Sequence, residues 1–169
     1  MTDTSDPHQR LLDLLDGVAA RYRVVAHAAE GRSEHISRIR GNHPGQAMKA
    51  LVCEVRGGGG GRRHVLAVVP GVRRLDMRAL CRHMGAQKGR FAPPGVAEAL
   101  TGCVMGAVPP FSFDARALPL VVDEGFRAWD EVVFNAGRLD RSLFLKFEDY
   151  VVAARPAFAA IAAVADQGA

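Results

Sequence analysis

Leu11, Leu12, Leu14, Leu15 and Val18 recur at helical spacing behind Asp6-Pro7, an N-cap followed by a first-turn proline. This pattern predicts a helix from about Pro7 to Arg21. A shorter helix is predicted over Ser33 to Arg40, with Ser33 placed to cap it and Gly41, Pro44 and Gly45 ending it. Leu75 to Met84 predicts another, with Asp76 in its first turn and Gly85 at its close, and Pro93 to Gly102 a short one that opens on proline and ends on glycine. A final helix is expected from about Glu148 to Ala165, kinked or split at Pro156.

Strand-like runs fall between these: Arg23 to His27, Ala47 to Arg56, His64 to Pro70, Gln87 to Phe91, Leu118 to Val122, Glu131 to Asn135 and Ser142 to Phe147. Gly57 to Gly61 joins two of them and reads as a mobile hairpin tip. A phosphate-binding loop would need G-K-[ST] entering a helix, and this run enters Arg62-Arg63-His64 and another strand. Helices and strands that interleave irregularly, with an early hairpin, predict a mixed α/β fold that is not doubly wound. A single domain over residues 1–169 is expected at this length.

Composition adds a mild bias. Lys plus Arg number 22 against 18 Asp plus Glu, for a net charge of +4, and the pI near 9.3 favours an anionic partner. The arginines come in small groups, Arg21/Arg23, Arg38/Arg40, Arg62/Arg63, Arg73/Arg74 and Arg138/Arg141, which suits a folded surface better than a polybasic tail. Cys53, Cys81 and Cys103 form no C-x-x-C pair and read as buried free thiols of a reducing compartment. The acidic N-terminus lacks the plan of a secretory signal, and no apolar run approaches the roughly 20 residues of a membrane span. The expectation is a soluble cytoplasmic protein with no membrane partner.

Several chemistries lack their residues. His27, His35 and His43 are separated by helix breakers, no H-E-x-x-H or paired Cys/His spacing occurs, and no metal or other cofactor is expected. G-x-S-x-G is absent, and the cysteines have no thiolate-stabilising setting. Asp123-Glu124 and Asp130-Glu131 read as turn or capping residues. Trp129 reads as packing, and Phe111, Phe113 and Phe134 as core or pocket wall.

Two features remain. Lys49 stands inside the apolar run Ala-Met-Lys-Ala-Leu-Val-Cys, where an ammonium needs an anionic partner or a route to water. In Gly106-Ala107-Val108-Pro109-Pro110-Phe111 a glycine opens backbone conformations that a β-carbon excludes and two prolines stiffen the chain beyond it, so the loop can aim amide N–H groups at open space. Together they suggest a site for a phosphate-bearing ligand.

The strings Ala-Met-Lys-Ala-Leu-Val, His-Val-Leu-Ala-Val-Val-Pro-Gly, Leu-Thr-Gly-Cys-Val-Met-Gly-Ala-Val-Pro-Pro-Phe, Val-Val-Asp-Glu and Val-Phe-Asn-Ala-Gly-Arg-Leu-Asp-Arg-Ser-Leu run in order over about residues 23–155. As an ordered set they resemble the YbaK/EbsC family, which includes free-standing aminoacyl-tRNA deacylases and the editing domain inserted in bacterial prolyl-tRNA synthetases. The resemblance implies a mixed, barrel-like β-sheet core with surrounding helices. It implies a trans-editing hydrolase that cleaves the ester between a wrong, small amino acid and the 3′-terminal adenosine of a tRNA, with tRNA-Pro a candidate carrier. The implied partner is tRNA, with an aminoacyl-tRNA synthetase as a second candidate.

The same resemblance assigns residues. Lys49 matches a strand lysine that contacts the nucleotide end, and Gly106 with Pro110 matches a G-x-x-x-P loop whose backbone, including Ala107 and Val108, serves the reacting centre. Glu30, Arg32 and Ser33 look like a segment near the acceptor end, and Gly137 with Arg138 like a turn close to the pocket. An aminoacyl ester is already reactive, so a fixed water and main-chain donors to the developing oxyanion can supply much of the rate, with the terminal ribose hydroxyl assisting. Pro109 departs from many relatives, which keeps a non-catalytic tRNA- or protein-binding module as the rival reading and a small-molecule esterase as a third.

Overall fold

The computed structural model describes residues 6–164. In chain order the elements are α1 (Pro7–Gly17), β1 (Tyr22–Ala26), α2 (Ser33–Arg40), β2 (Met48–Arg56), β3 (Arg62–Pro70), α3 (Met77–Met84) and β4 (Lys88–Phe91). Then come α4 (Pro94–Thr101), β5 (Leu120–Asp123), β6 (Glu131–Arg138), β7 (Arg141–Lys146), α5 (Phe147–Ala154) and β8 (Ala157–Ala159). The strands form two sheets, β1-β7-β6 and β4-β2-β3-β5-β8. The first is antiparallel, while the second is mixed because β5 runs parallel to both β3 and β8. Among the described residues they do not close into the expected barrel; the isolated Ala47–Val133 bridge links β2's entry to β6.

The sheets face each other across a core built from Met48, Val52, Leu66 and Val68 on one side and Val132, Phe134, Leu143 and Leu145 on the other. Leu11 and Leu15, one helical turn apart on α1, are fully buried in it, a contribution of about 1.5–3 kcal/mol each. The opposite face of the larger sheet buries Cys53, Val55, Val65 and Ala67 against Leu80 of α3. Phe111 and Phe134 meet edge-to-face in the main core at 5.6 Å. Phe113 does not: it is exposed beneath the Arg10 guanidinium, which lies 4.5 Å from its ring, and is neither core nor pocket wall. Trp129 packs on His43 with ring centroids 5.0 Å apart.

Helix boundaries depart from expectation where tertiary contacts decide them. The first helix ends at Gly17, not Arg21: the Val18 and Ala20 N–H groups both return to the Leu15 carbonyl, and Ala19 at φ 52° swings the chain into β1. Ser33 does not cap α2; Arg32 takes the N-cap position without a side-chain bond, and Ser33 opens the helix itself. The last helix stops at Ala154. Arg155 adopts φ 50°, Pro156 has no N–H to continue the ladder, and the chain turns into β8. Asp123 then accepts the Ile161 and Ala162 N–H groups at 2.9 and 2.8 Å, which fixes the returning segment. Ala165, the expected end, lies outside the described residues. Among those residues no helix is long and apolar enough to cross a membrane.

Candidate active site

β4 pairs with Cys53–Arg56 of β2 and leaves the preceding half of that edge open. A cavity of about 530 Å³ lies along it, walled by α2, α4 and the Gly106 loop. The Val52 carbonyl turns toward this edge to accept the Ala92 N–H at 2.9 Å. Strand alternation therefore points the N–H and C=O of Ala50 the same way, into the cavity that Ala50 lines.

Lys49 and Gly106 line this one cavity, together with Val108 and Ser33. The Lys49 ammonium donates to the carbonyls of Arg73 at 2.8 Å and Gly71 at 3.4 Å, and no carboxylate pairs with it among the described residues. Burial, and secondarily the charge of Arg74, pulls its pKa below the usual lysine value. Arg40, from the end of α2, is a second cation of the same kind. Its guanidinium donates to the Asn42 side-chain oxygen at 3.0 Å and the Ser142 hydroxyl at 3.2 Å, both neutral, and burial lowers its pKa to about 10. Among the described residues neither cation has a carboxylate partner, which is the setting of an anion-binding cavity.

The Gly106 loop is fastened from beneath. The Ala107 N–H donates to the Val104 carbonyl at 3.0 Å and its own carbonyl accepts the Gly137 N–H at 3.0 Å. The carbonyl of Pro110 accepts the buried Tyr150 hydroxyl at 2.7 Å. Ala107 and Pro110 are buried and absent from the cavity wall, so they shape the loop without facing a ligand. Gly106 stands at φ 87°, where a Cβ would come within 2.9 Å of the Gly31 Cα. Asn135 clamps the two facing loops: its amide nitrogen donates to the Gly106 carbonyl at 2.8 Å and the Glu30 carbonyl at 3.1 Å. Its side-chain oxygen accepts from Ser142 at 3.2 Å. Among the described residues no acceptor takes the N–H of Gly106 or of Val108.

The remaining sequence candidates lie off the cavity wall. Glu30 and Arg32 pair with each other at 3.1 Å, the arginine holding the carboxyl well below its usual range, and the wall is formed by Gly31 between them. Gly137 packs under the start of α1, where a Cβ would meet the His8 nitrogen at 2.9 Å. Arg138 is exposed and paired with Asp140 at 2.9 Å. Cys103 does line the cavity, but burial pushes its thiol up to about 11, which keeps it protonated. Among the described residues no Asp, Glu or His is on the wall, and there is no cluster of three or more His, Cys, Asp or Glu able to hold a metal ion.

An electropositive, carboxylate-free cavity beside a loop with open main-chain donors can bind an anion-bearing ester and stabilise an oxyanion. The sequence pattern of the aminoacyl-tRNA editing domain matches residues 27–152. The chain belongs to the aminoacyl-tRNA editing domain family. It is 46% identical over 157 residues to the Escherichia coli K12 protein named multifunctional Ser/Thr-tRNA deacylase ProXp-y, covering 92% of this chain and 93% of that one. Among solved structures, one named "putative trans-editing enzyme for prolyl tRNA synthetase" superposes with a TM-score of 0.78 at 25% identity, covering 96% of this chain and 100% of that one. A hypothetical protein shares the fold with a TM-score of 0.79 at 20% identity, over 91% of this chain and 99% of the other.

Two wall residues of this editing domain escape a reading of the sequence. Arg40 reads there as an ordinary basic residue closing a helix. Asn135 carried a usable signal, since a lone amide inside Val-Val-Phe-Asn-Ala must be buried with its hydrogen bonds satisfied.

Proposed function

We propose that this protein hydrolyses the ester of mischarged tRNA in trans, with seryl and threonyl esters as its substrates. The name of the E. coli relative supports that choice. The single observation that carries the chemistry is that Lys49 and Arg40, two cations with no carboxylate partner among the described residues, share one cavity with the open N–H groups of the Gly106 loop.

In this reading Lys49 and Arg40 hold the terminal nucleotide, and the ester carbonyl turns toward the N–H groups of Gly106 and Val108. Those dipoles are set before reaction by the Asn135 clamp and the anchored Ala107 and Pro110, so they stabilise the oxyanion without reorganising. With no Asp, Glu or His on the wall among the described residues, the proton lost by the attacking water is delivered to the departing ribose oxygen as the acyl C–O bond breaks, relayed by solvent or by the adjacent ribose hydroxyl, which takes one proton and passes on its own. Selection against large side chains in the amino-acid part of the cavity would follow the logic of a second sieve. A synthetase that releases the mischarged tRNA is the natural partner, and the cytoplasm the compartment.

A panel of tRNAs charged with Ser, Thr, Ala and Phe, followed for ester loss, tests this. Turnover of the first two and none of the last is expected. Binding of tRNA with no loss of any ester would refute hydrolysis and leave a binding module.

A further inference from the structure

The face of β2 that floors the cavity does not end at Val52. Side chains two residues apart on a strand share a face at a spacing of about 7 Å. Met48, Ala50 and Val52 are therefore followed, on the same face, by Glu54 and Arg56. The register brings His64 and Arg90 beside Glu54, and Arg62 and Lys88 beside Arg56. Glu54 is buried and is met by Arg90 at 3.0 Å, Arg62 at 3.2 Å and His64 at 3.5 Å. One carboxylate thus faces four full positive charges, and Arg56 and Lys88 have no carboxylate partner among the described residues.

Arg56 and Arg62 stand directly opposite each other across the antiparallel pair, an arrangement that destabilises a sheet. An edge strand often carries a lysine to discourage pairing with other chains, which would account for Lys88 on β4. It does not account for opposed arginines on the inner strands. Phe91, which lines the cavity, stands opposite Cys53 and so presents its ring to the other face of the sheet, while Arg90 and Lys88 share the Glu54 face and line a second pocket there with Glu54 and Arg56. A row of cations tracking away from the cavity along one sheet face is the pattern that receives a nucleic-acid backbone by phosphate contact.

We propose that Arg56, Arg62, Lys88 and Arg90 form the docking surface for the sugar–phosphate backbone of the tRNA acceptor end, while the terminal adenosine and its ester occupy the cavity. The assignment rests on the deacylase reading above and adds to it the path by which the RNA leaves the site.

The test uses Arg56→Glu/Lys88→Glu, because replacing Arg62 or Arg90 would strip the buried Glu54 of its partners. A control of equal charge change, Arg116→Glu/Arg155→Glu, lies before β5 and β8, toward the opposite edge of the sheet. Seryl-tRNA and the minimal ester 3′-O-seryl-adenosine are the substrates, each followed across a salt series. The expected result for Arg56→Glu/Lys88→Glu is a KM for seryl-tRNA raised by roughly tenfold or more, an unchanged kcat and unchanged turnover of the minimal ester. The log–log salt slope should shrink by about 1.4–1.8, the share of two phosphate contacts. The control should stay within about threefold of the parent.

Filter binding of uncharged tRNA separates this proposal from the activity. A parent that binds RNA through these residues but cleaves no ester would sustain the surface and refute the deacylase. Binding, KM and salt slope that are the same in both double variants would overturn the surface, whatever the turnover.

Discussion

The Gly106 loop and the Gly57–Gly61 hairpin tip are both glycine-marked turns, and they differ in what surrounds them. At the tip, a Cβ added to Gly57, Gly59, Gly60 or Gly61 would meet nothing within 4 Å. At Gly106 the added atom would reach backbone, the Gly31 Cα at 2.9 Å and the Gly31 carbonyl oxygen at 3.1 Å. At the tip only Gly60, at φ 80°, requires glycine by its backbone, and Gly58 would meet only the movable Gln87 amide at 2.9 Å, whereas Gly106 is both left-handed and pressed against backbone. A run of glycines in open space marks a turn that tolerates side chains; a lone glycine pressed against another chain segment marks a close main-chain approach that only glycine allows.

If that contrast is correct, the largest effect comes from Gly106→Ala. A left-handed φ costs a non-glycine residue about 1–2 kcal/mol, and the backbone contact forces a shift of one loop against the other. Single-turnover deacylation should fall roughly 100-fold, the scale of misplacing reacting groups by about an ångström, with a lowered melting temperature. Activity within threefold of the parent would show that the two loops are functionally alike after all.

Asn135→Ala attacks the same loop from behind. It leaves the Gly106 and Glu30 carbonyls without their donor, at about 1–3 kcal/mol for unsatisfied buried groups. A loss of about tenfold or more in kcat is expected well below the melting transition, with KM less affected because Lys49 and Arg40, the cations proposed to hold the nucleotide, are untouched. A rise in KM alone would move Asn135 from positioning the loop to binding the substrate.

How much of this was legible before any fold was known depends on how local each signal is. α3 and α4 lie almost where predicted because their stops, Gly85 and Gly102, and the Asp76 cap are written within a turn of the helix. The β2–β3 hairpin was legible for the same reason. α5 was overextended because its end depends on β8 pairing with β5 and on Asp123 binding a segment far along the chain, which no helical periodicity contains. In the cavity, Lys49, Gly106, Val108 and Ser33 could be proposed from type and motif. Ala107 and Pro110 belong to the same motif, yet the fold turns them inward. Motif membership does not say which groups of a loop face the ligand.

A smaller effect is expected from Lys49→Ala, which removes a charge but leaves Arg40 in place. KM for the tRNA substrate should rise about tenfold, the scale of one charge-assisted hydrogen bond. Lys49 also gives a pH dependence with a definite sign. Its pKa is lowered by burial and by Arg74, so the ammonium is lost on the alkaline side at a pH below the ordinary lysine value of 10.5. Affinity for uncharged tRNA, which needs the charged form, should weaken as pH rises through that lowered pKa. Lys49→Arg should move that limb upward. An alkaline limb that is identical in both proteins would assign it to another group.

Gly59→Ala is the smallest effect and completes the contrast, because it is the same chemical change as Gly106→Ala with the opposite expected sign. Gly59 is neither crowded nor left-handed, so the methyl group enters open space. Its main consequence lies in the unfolded chain, which loses conformational freedom, and the folded state should gain about 0.4–1 kcal/mol. Denaturant midpoints would register that gain while deacylation stays unchanged. A drop in activity at Gly59→Ala would mean that the tip itself reaches the bound RNA and that its glycines, like the one at position 106, are kept for what approaches them.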